Sequence, residues 1–149
     1  MSYIKANLNS GEKINNFTKP SIKPVILVMF LLAPLYFLVG FAYFDGSIVS
    51  SIITSIIITV LYFIYEMIKI YVSEFAITNK RVISKLGLIS RDVEEMNLKS
   101  IESVNLKQGV IGRILNVGNI VISGRGSSQV IFKEVDDPVA VRKKIKHKS

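Results

Sequence analysis

The sequence predicts an α+β membrane protein: a two-helix transmembrane hairpin followed by an antiparallel β-sandwich or barrel, with a C-terminal capping helix. Three observations carry that expectation. Two apolar segments of membrane-spanning length stand side by side in the N-terminal half, and from residue 25 to residue 65 Asp45 is the only charge. Short alternating runs separated by turn residues fill the C-terminal half. The chain then closes on Asp137-Pro138 and a short apolar stripe, a good start for a helix. Half of the 149 residues are hydrophobic, yet the net charge is +8, so an apolar block and a basic block share one chain.

Residues 1–23 read as a polar cytoplasmic tail and residues 24–69 as the hairpin, with spans at about 25–44 and 48–68. Roughly twenty apolar residues at about 1.5 Å each match a hydrocarbon core of about 30 Å. Pro24 suits the first turn of the first helix, and Pro34 is expected to bend its middle. A signal peptide is disfavoured by the long polar lead, by an apolar stretch longer than a typical h-region, with no convincing small-x-small cleavage site after it, and by the second apolar segment. Asp45-Gly46-Ser47 is the turn, so the two spans are antiparallel. Lys5, Lys13, Lys19 and Lys23 precede the hairpin; Lys69, Lys80 and Arg81 follow it; the turn has no basic residue. The positive-inside rule then puts both termini in the cytoplasm of a multi-pass protein of the cell inner membrane, with Asp45 outside.

Ser47, Ser50, Ser51, Thr54, Ser55 and Thr59 recur at steps of three and four along the second span. Small hydroxyl residues in lipid favour close helix packing, and no ionisable residue accompanies them as an ion pathway requires. The expected role is therefore a helix-packing stripe (Ser47, Ser51, Thr54, Ser55, Thr59). The alternative is the lining of a small oligomeric transport or pore-forming protein.

Residues 70–149 form the second domain. Alternation starts at Tyr71 and runs to Ile77; Thr78-Asn79-Lys80 turns into a strand at about 81–86, and a third strand covers about 88–96. A fourth surrounds Val104 and Leu106. Ile111, Ile114 and Leu115 have helical spacing, strands follow at 119–123 and 129–135, and Val141 and Ile145 form the stripe of the last helix.

The runs Ile77-Thr-Asn-Lys-Arg-Val-Ile83, Gly87-Leu-Ile-Ser-Arg91, Lys99-Ser-Ile-Glu-Ser-Val104, Gly112-Arg-Ile-Leu-Asn-Val-Gly118 and Val135-Asp-Asp-Pro138 resemble, in order and spacing, the bacterial pleckstrin-homology-like (PH-like) domain of small membrane proteins. The resemblance covers about residues 71–145, and a helical pair before such a domain is common in that family. It implies two nearly orthogonal antiparallel sheets capped by a C-terminal helix. It implies no known reaction and no established ligand.

Catalytic, metal and cofactor residues are not expected. The single histidine, His147, lies in a lysine-rich tail, and there is no cysteine. Asp92, Glu94 and Glu95 read as a solvated strand face, and Asp136 and Asp137 as turn and cap residues. Gly109, Gly112 and Gly118 match neither a phosphate loop nor a dinucleotide fingerprint. The basic excess fits the topology rule, anionic lipid headgroups or nucleic acid, in falling order, so nucleic acid is an unfavoured partner. The candidate anionic-lipid or partner-binding residues are Lys80, Arg81, Lys85, Arg91 and Arg125. The expected function is a non-enzymatic, membrane-anchored interaction module. Its partners are the bilayer, anionic headgroups, an unknown protein or a second copy of the chain.

Overall fold

The computed structural model describes residues 3–43, 47–87 and 92–147. Asp45 and Arg91, both named above, lie outside the described residues. The chain divides into two compact units, residues 22–68 and residues 1–21 with 69–149.

The first unit is the helical pair. Helix α2 spans Lys23–Tyr43 and helix α3 spans Ile48–Val72, and both are long and apolar enough to cross a membrane. Gly40 permits their close approach, since a Cβ there would sit 3.3 Å from the Ser51 Cα. Ser51 and Ser55 are buried, and the Ser55 hydroxyl donates to the Ala33 carbonyl at 3.0 Å. The hydroxyls of Ser51 and Thr54 donate within their own helix, to the carbonyls of Ser47 and Ser50. Thr59 differs: its oxygen is buried with no hydrogen-bond partner among the described residues. Replacing Gly40 with Leu is expected to push the helices apart at a cost of about 1–3 kcal/mol, the usual range for overpacking. Loss of disulfide trapping between cysteines introduced at Ala33 and Ser55 checks it.

The second unit holds two antiparallel sheets that do not close into a barrel. One contains, in order, β1 (Ile14–Thr18), β2 (Glu74–Thr78), β3 (Arg81–Leu86) and β4 (Asp92–Asn97). The other contains β5 (Ile101–Lys107), β6 (Val117–Gly124) and β7 (Gln129–Asp136). Between the sheets, Phe75 and Phe132 stack with ring centroids 4.9 Å apart among Ile77, Val82, Ile120, Ile122 and Val130. Helix α5 (Pro138–Lys146) closes the core with Val141 and Ile145. Asp137 caps it by accepting from the Ala140 amide, and the Arg142 Nε ties it to the Val104 carbonyl. A short helix α4 (Val110–Leu115) joins β5 to β6.

Two elements differ from the sequence expectation. Residues 1–23 are not merely a tail, because they supply helix α1 (Tyr3–Ala6) and strand β1, which pairs antiparallel with β2, Thr18 opposite Phe75. The helical hairpin is thus inserted between two neighbouring strands of one sheet. The N-terminal segment also covers the outer face of that sheet, where Ile4 packs with Ala76 and Ile83. For that reason every residue of β2 is buried, on both faces. The second difference concerns Tyr71 and Val72, which continue α3 rather than opening a strand. The helix ends where the Ser73 amide and hydroxyl both donate to the Lys69 carbonyl, at 3.1 and 2.8 Å.

Candidate functional site

Of the basic residues read from the sequence, the four that are described (Lys80, Arg81, Lys85 and Arg125) do not gather at one place. Arg81 begins β3 and points into the outer face of its sheet, where it is committed internally. Its Nε and Nη2 each meet a Glu12 carboxylate oxygen at 3.0 Å, a two-pronged pairing that matches the guanidinium fork. Nη2 also donates to the Asn7 carbonyl and Nη1 to Glu95. The Arg81 and Glu12 side chains are 14% and 0% exposed. Arg81 therefore joins the N-terminal segment to the sheet instead of presenting a charge to a ligand.

Glu12 is equally enclosed, accepting from the Asn9 amide at 2.9 Å and the Thr78 hydroxyl at 2.7 Å. Burial opposes its charge, but the hydrogen bonds from Arg81, Asn9 and Thr78 outweigh burial and hold the carboxyl below its ordinary value. The Glu12 hydrogen bond correspondingly raises Arg81 against the opposing effect of burial.

Lys80 is exposed at the β2–β3 turn, its ammonium donating to the Ser10 carbonyl at 2.9 Å. Arg125 is exposed in the turn between β6 and β7, on the other sheet. Lys85 stands four residues along β3 from Arg81, roughly 13 Å by strand rise. It lines a cleft of about 250 Å³ with Lys5, Phe17, Lys19, Tyr71, Val72 and Glu74.

The strands explain why these residues meet. Lys19 follows β1, Tyr71 and Val72 precede β2, and Lys85 lies opposite Glu74 in the β2–β3 ladder. Lys19 is held over the Tyr71 ring, 4.8 Å from its centroid, and donates to the Tyr71 carbonyl at 3.4 Å. Lys5 lies 5.9 Å from the Phe17 centroid, and α1 is tied down by the Ile4 amide donating to Glu74 at 3.2 Å. Three ammonium groups and one carboxylate thus share a small open cleft. Such a cleft suits a phosphate or carboxylate group, with an aromatic ring beside it to take apolar stem.

Lys5, Lys19 and Tyr71 were not among the sequence candidates. The sequence signal is weak, because Ile14 and Phe17 are three residues apart, and only an irregularity in the ladder between Ile14 and Asn16 brings both onto the face that packs with Ala76 and Ile83. Among the described residues no group of three His, Cys, Asp or Glu side chains is placed to hold a metal ion.

The sequence model of the bacterial PH domain matches residues 25–149, a span that takes in both long helices and everything after them but leaves out β1. Comparison with curated proteins and with solved structures finds no match. A four-stranded and a three-stranded antiparallel sheet closed by a C-terminal helix fit that match in architecture, and the chain belongs to the bacterial PH domain family.

Proposed function

We propose that this protein is a non-catalytic, membrane-anchored PH-like module that holds a basic cleft against anionic headgroups of the cytoplasmic leaflet of the inner membrane. The observation that carries the reading is the grouping of Lys5, Lys19 and Lys85 around strand ends that run, within a few residues, into the two apolar helices. Tethering raises the local headgroup concentration, so a shallow site with few contacts suffices. An acidic protein surface would meet the same charges, and is the partner to which the site turns if lipid fails.

Pairing of β1 with β2 supports the hairpin topology. Two hydrogen-bonded strands occupy one compartment, so the chain between them leaves and returns by crossing an even number of times. Two spans satisfy this, and the lysine distribution favours both ends inside.

Native mass spectrometry of the full chain released from nanodiscs tests the lipid reading. Replacing Lys19 or Lys85 with Gln is expected to lower retention of phosphatidylglycerol about fivefold each at low salt, from roughly 1 kcal/mol per basic residue. Insertion should be unchanged. Retention that is indifferent to both substitutions and to salt would defeat the lipid assignment. For topology, a cysteine introduced at Ser47 should react with a membrane-impermeant maleimide on intact cells, and one introduced at Glu102 should not.

A further inference from the structure

Helix α4 presents an apolar face that no described residue of its own domain covers. Val110, Ile111 and Ile114 are 78%, 57% and 79% exposed. Single exposed aliphatic residues are ordinary, but three on one face of a six-residue helix make a patch. The patch is also held rigidly outward. Gly112 lies on the opposite face, where a Cβ would stand 2.6 Å from the Val117 carbonyl, so the helix rests directly on the start of β6. The Gln108 amide brackets it by donating to the carbonyls of Gly112 and Val117 at 3.0 and 3.2 Å. Asn116, in the left-handed region at φ 55°, ends it.

The position of this patch within the domain is fixed by a short relay of backbone contacts. The Ser21 amide donates to the Glu134 carbonyl at 2.7 Å, and Pro20 bridges Val135. Val135 lies opposite Gly118 in the β6–β7 ladder, next to the Val117 on which α4 rests. Two ladder steps of about 4.8 Å therefore separate Pro20 and Ser21, which lead directly into α2, from the start of β6 on which α4 rests. Arg113 borders the apolar face, with a stem long enough to lie along it while its guanidinium reaches a phosphate.

We infer that α4 is a third membrane contact, in which Val110, Ile111 and Ile114 dip into the interface between headgroups and acyl chains while Arg113 pairs with lipid phosphate. The occupant is the bilayer because the same chain is tethered to it within two strand widths of the strand that carries α4; the inference rests on the membrane-anchored reading above. Insertion of this kind is shallow, within about 5–10 Å of the headgroup boundary. It would restrict how the domain turns above its two tethers and so fix the side it offers to partners.

The chain has no cysteine, so one introduced residue can carry a unique label. The full chain bearing Ile114→Cys, Ile57→Cys or Glu102→Cys is labelled with an environment-sensitive dye and reconstituted in nanodiscs whose lipid is spin-labelled near the headgroup, for positions 114 and 102, or deep in the acyl chain, for position 57. Position 57 reports on α3, and position 102 is an exposed site at the far end of β5. The expected result is a blue shift and strong quenching at position 114, none at 102, and loss of the signal at 114 when Ile111→Asp is added. Quenching at 57 but no more at 114 than at 102 overturns the third contact and leaves the anchored reading standing. Absence of quenching at 57 overturns both. Dye signals at 114 that depend on the ratio of protein to lipid assign the patch to a second copy of the chain and overturn the bilayer as occupant.

Discussion

A fragment trimmed to residues 69–149 is expected to remain unfolded or to aggregate, whereas a chain in which Asn-Gly replaces residues 20–73 is expected to fold as a water-soluble domain. The trimmed fragment lacks β1 and α1. It leaves one edge of β2 unpaired and exposes Ala76 and Ile83, which Ile4 otherwise covers. Burial of Ile4 alone stabilises by about 1.5–3 kcal/mol. Loss of the N-terminal segment also takes from Arg81 its bonds to Glu12 and Asn7. A whole domain is stable by only about 5–15 kcal/mol, so losing a strand, a helix and these contacts at once is decisive. The spliced chain keeps all of these contacts. Thr18 lies opposite Phe75, so Lys19 and Glu74 would flank a two-residue turn of the kind Asn-Gly favours. Amide dispersion in NMR spectra and urea unfolding read the outcome. Equal unfolding midpoints for the two constructions would refute the structural role of the N-terminal segment.

Arg81→Met is expected to destabilise the domain by about 3–5 kcal/mol, because it leaves the Glu12 carboxylate buried without its partner. Adding Glu12→Leu should recover much of the loss, since an apolar pair needs no compensation for desolvation. Urea unfolding of the full chain in detergent measures both. The same pair predicts a pH dependence. Glu12 is held below its ordinary value of 4.5, so the unfolded chain binds its proton more readily than the folded one. Its contribution is complete above about pH 4.5, the unfolded value, and is lost as pH falls through the lower folded value. Arg81 is raised above its already high ordinary value, so its contribution is intact throughout the neutral and acid range. Stability should therefore fall on acidification, and the Arg81→Met, Glu12→Leu chain should fall less. A double variant with the same acid slope as the unaltered chain would show that the pair is not responsible.

Much of this architecture is readable from residue order because its signals are local. Two long apolar runs give the helices, β5 and β7 largely alternate, β3 and β6 are short apolar runs bounded by turn residues, and Asp137-Pro138 announces α5 at the place where it begins. What resists reading is non-local. Strand β1 contains Asn15 and Asn16, poor strand formers, and its partner β2 lies beyond both spans. With β1 hidden, Lys5 and Lys19 pass for topology charges rather than parts of a cleft. Arg81 resists for another reason. An arginine that binds a ligand and one that locks a fold are the same residue type, and only Glu12 in place, 69 positions earlier, separates the two roles. At the boundary of α3, Tyr71 and Val72 fit either period, and the Lys69 carbonyl decides for the helix.

The insertion of the hairpin between β1 and β2 has a consequence for biogenesis. In the proposed anchored reading, β1 emerges from the ribosome first and waits unpaired until both long helices have been threaded and β2 follows. A chain with only one helix inserted would leave β1 across the bilayer from its partner, with the outer face of the sheet bare and Arg81 parted from Glu12. Completion of the sheet then proofreads the number of crossings, since only molecules with both helices inserted acquire a domain stable enough to escape proteolysis.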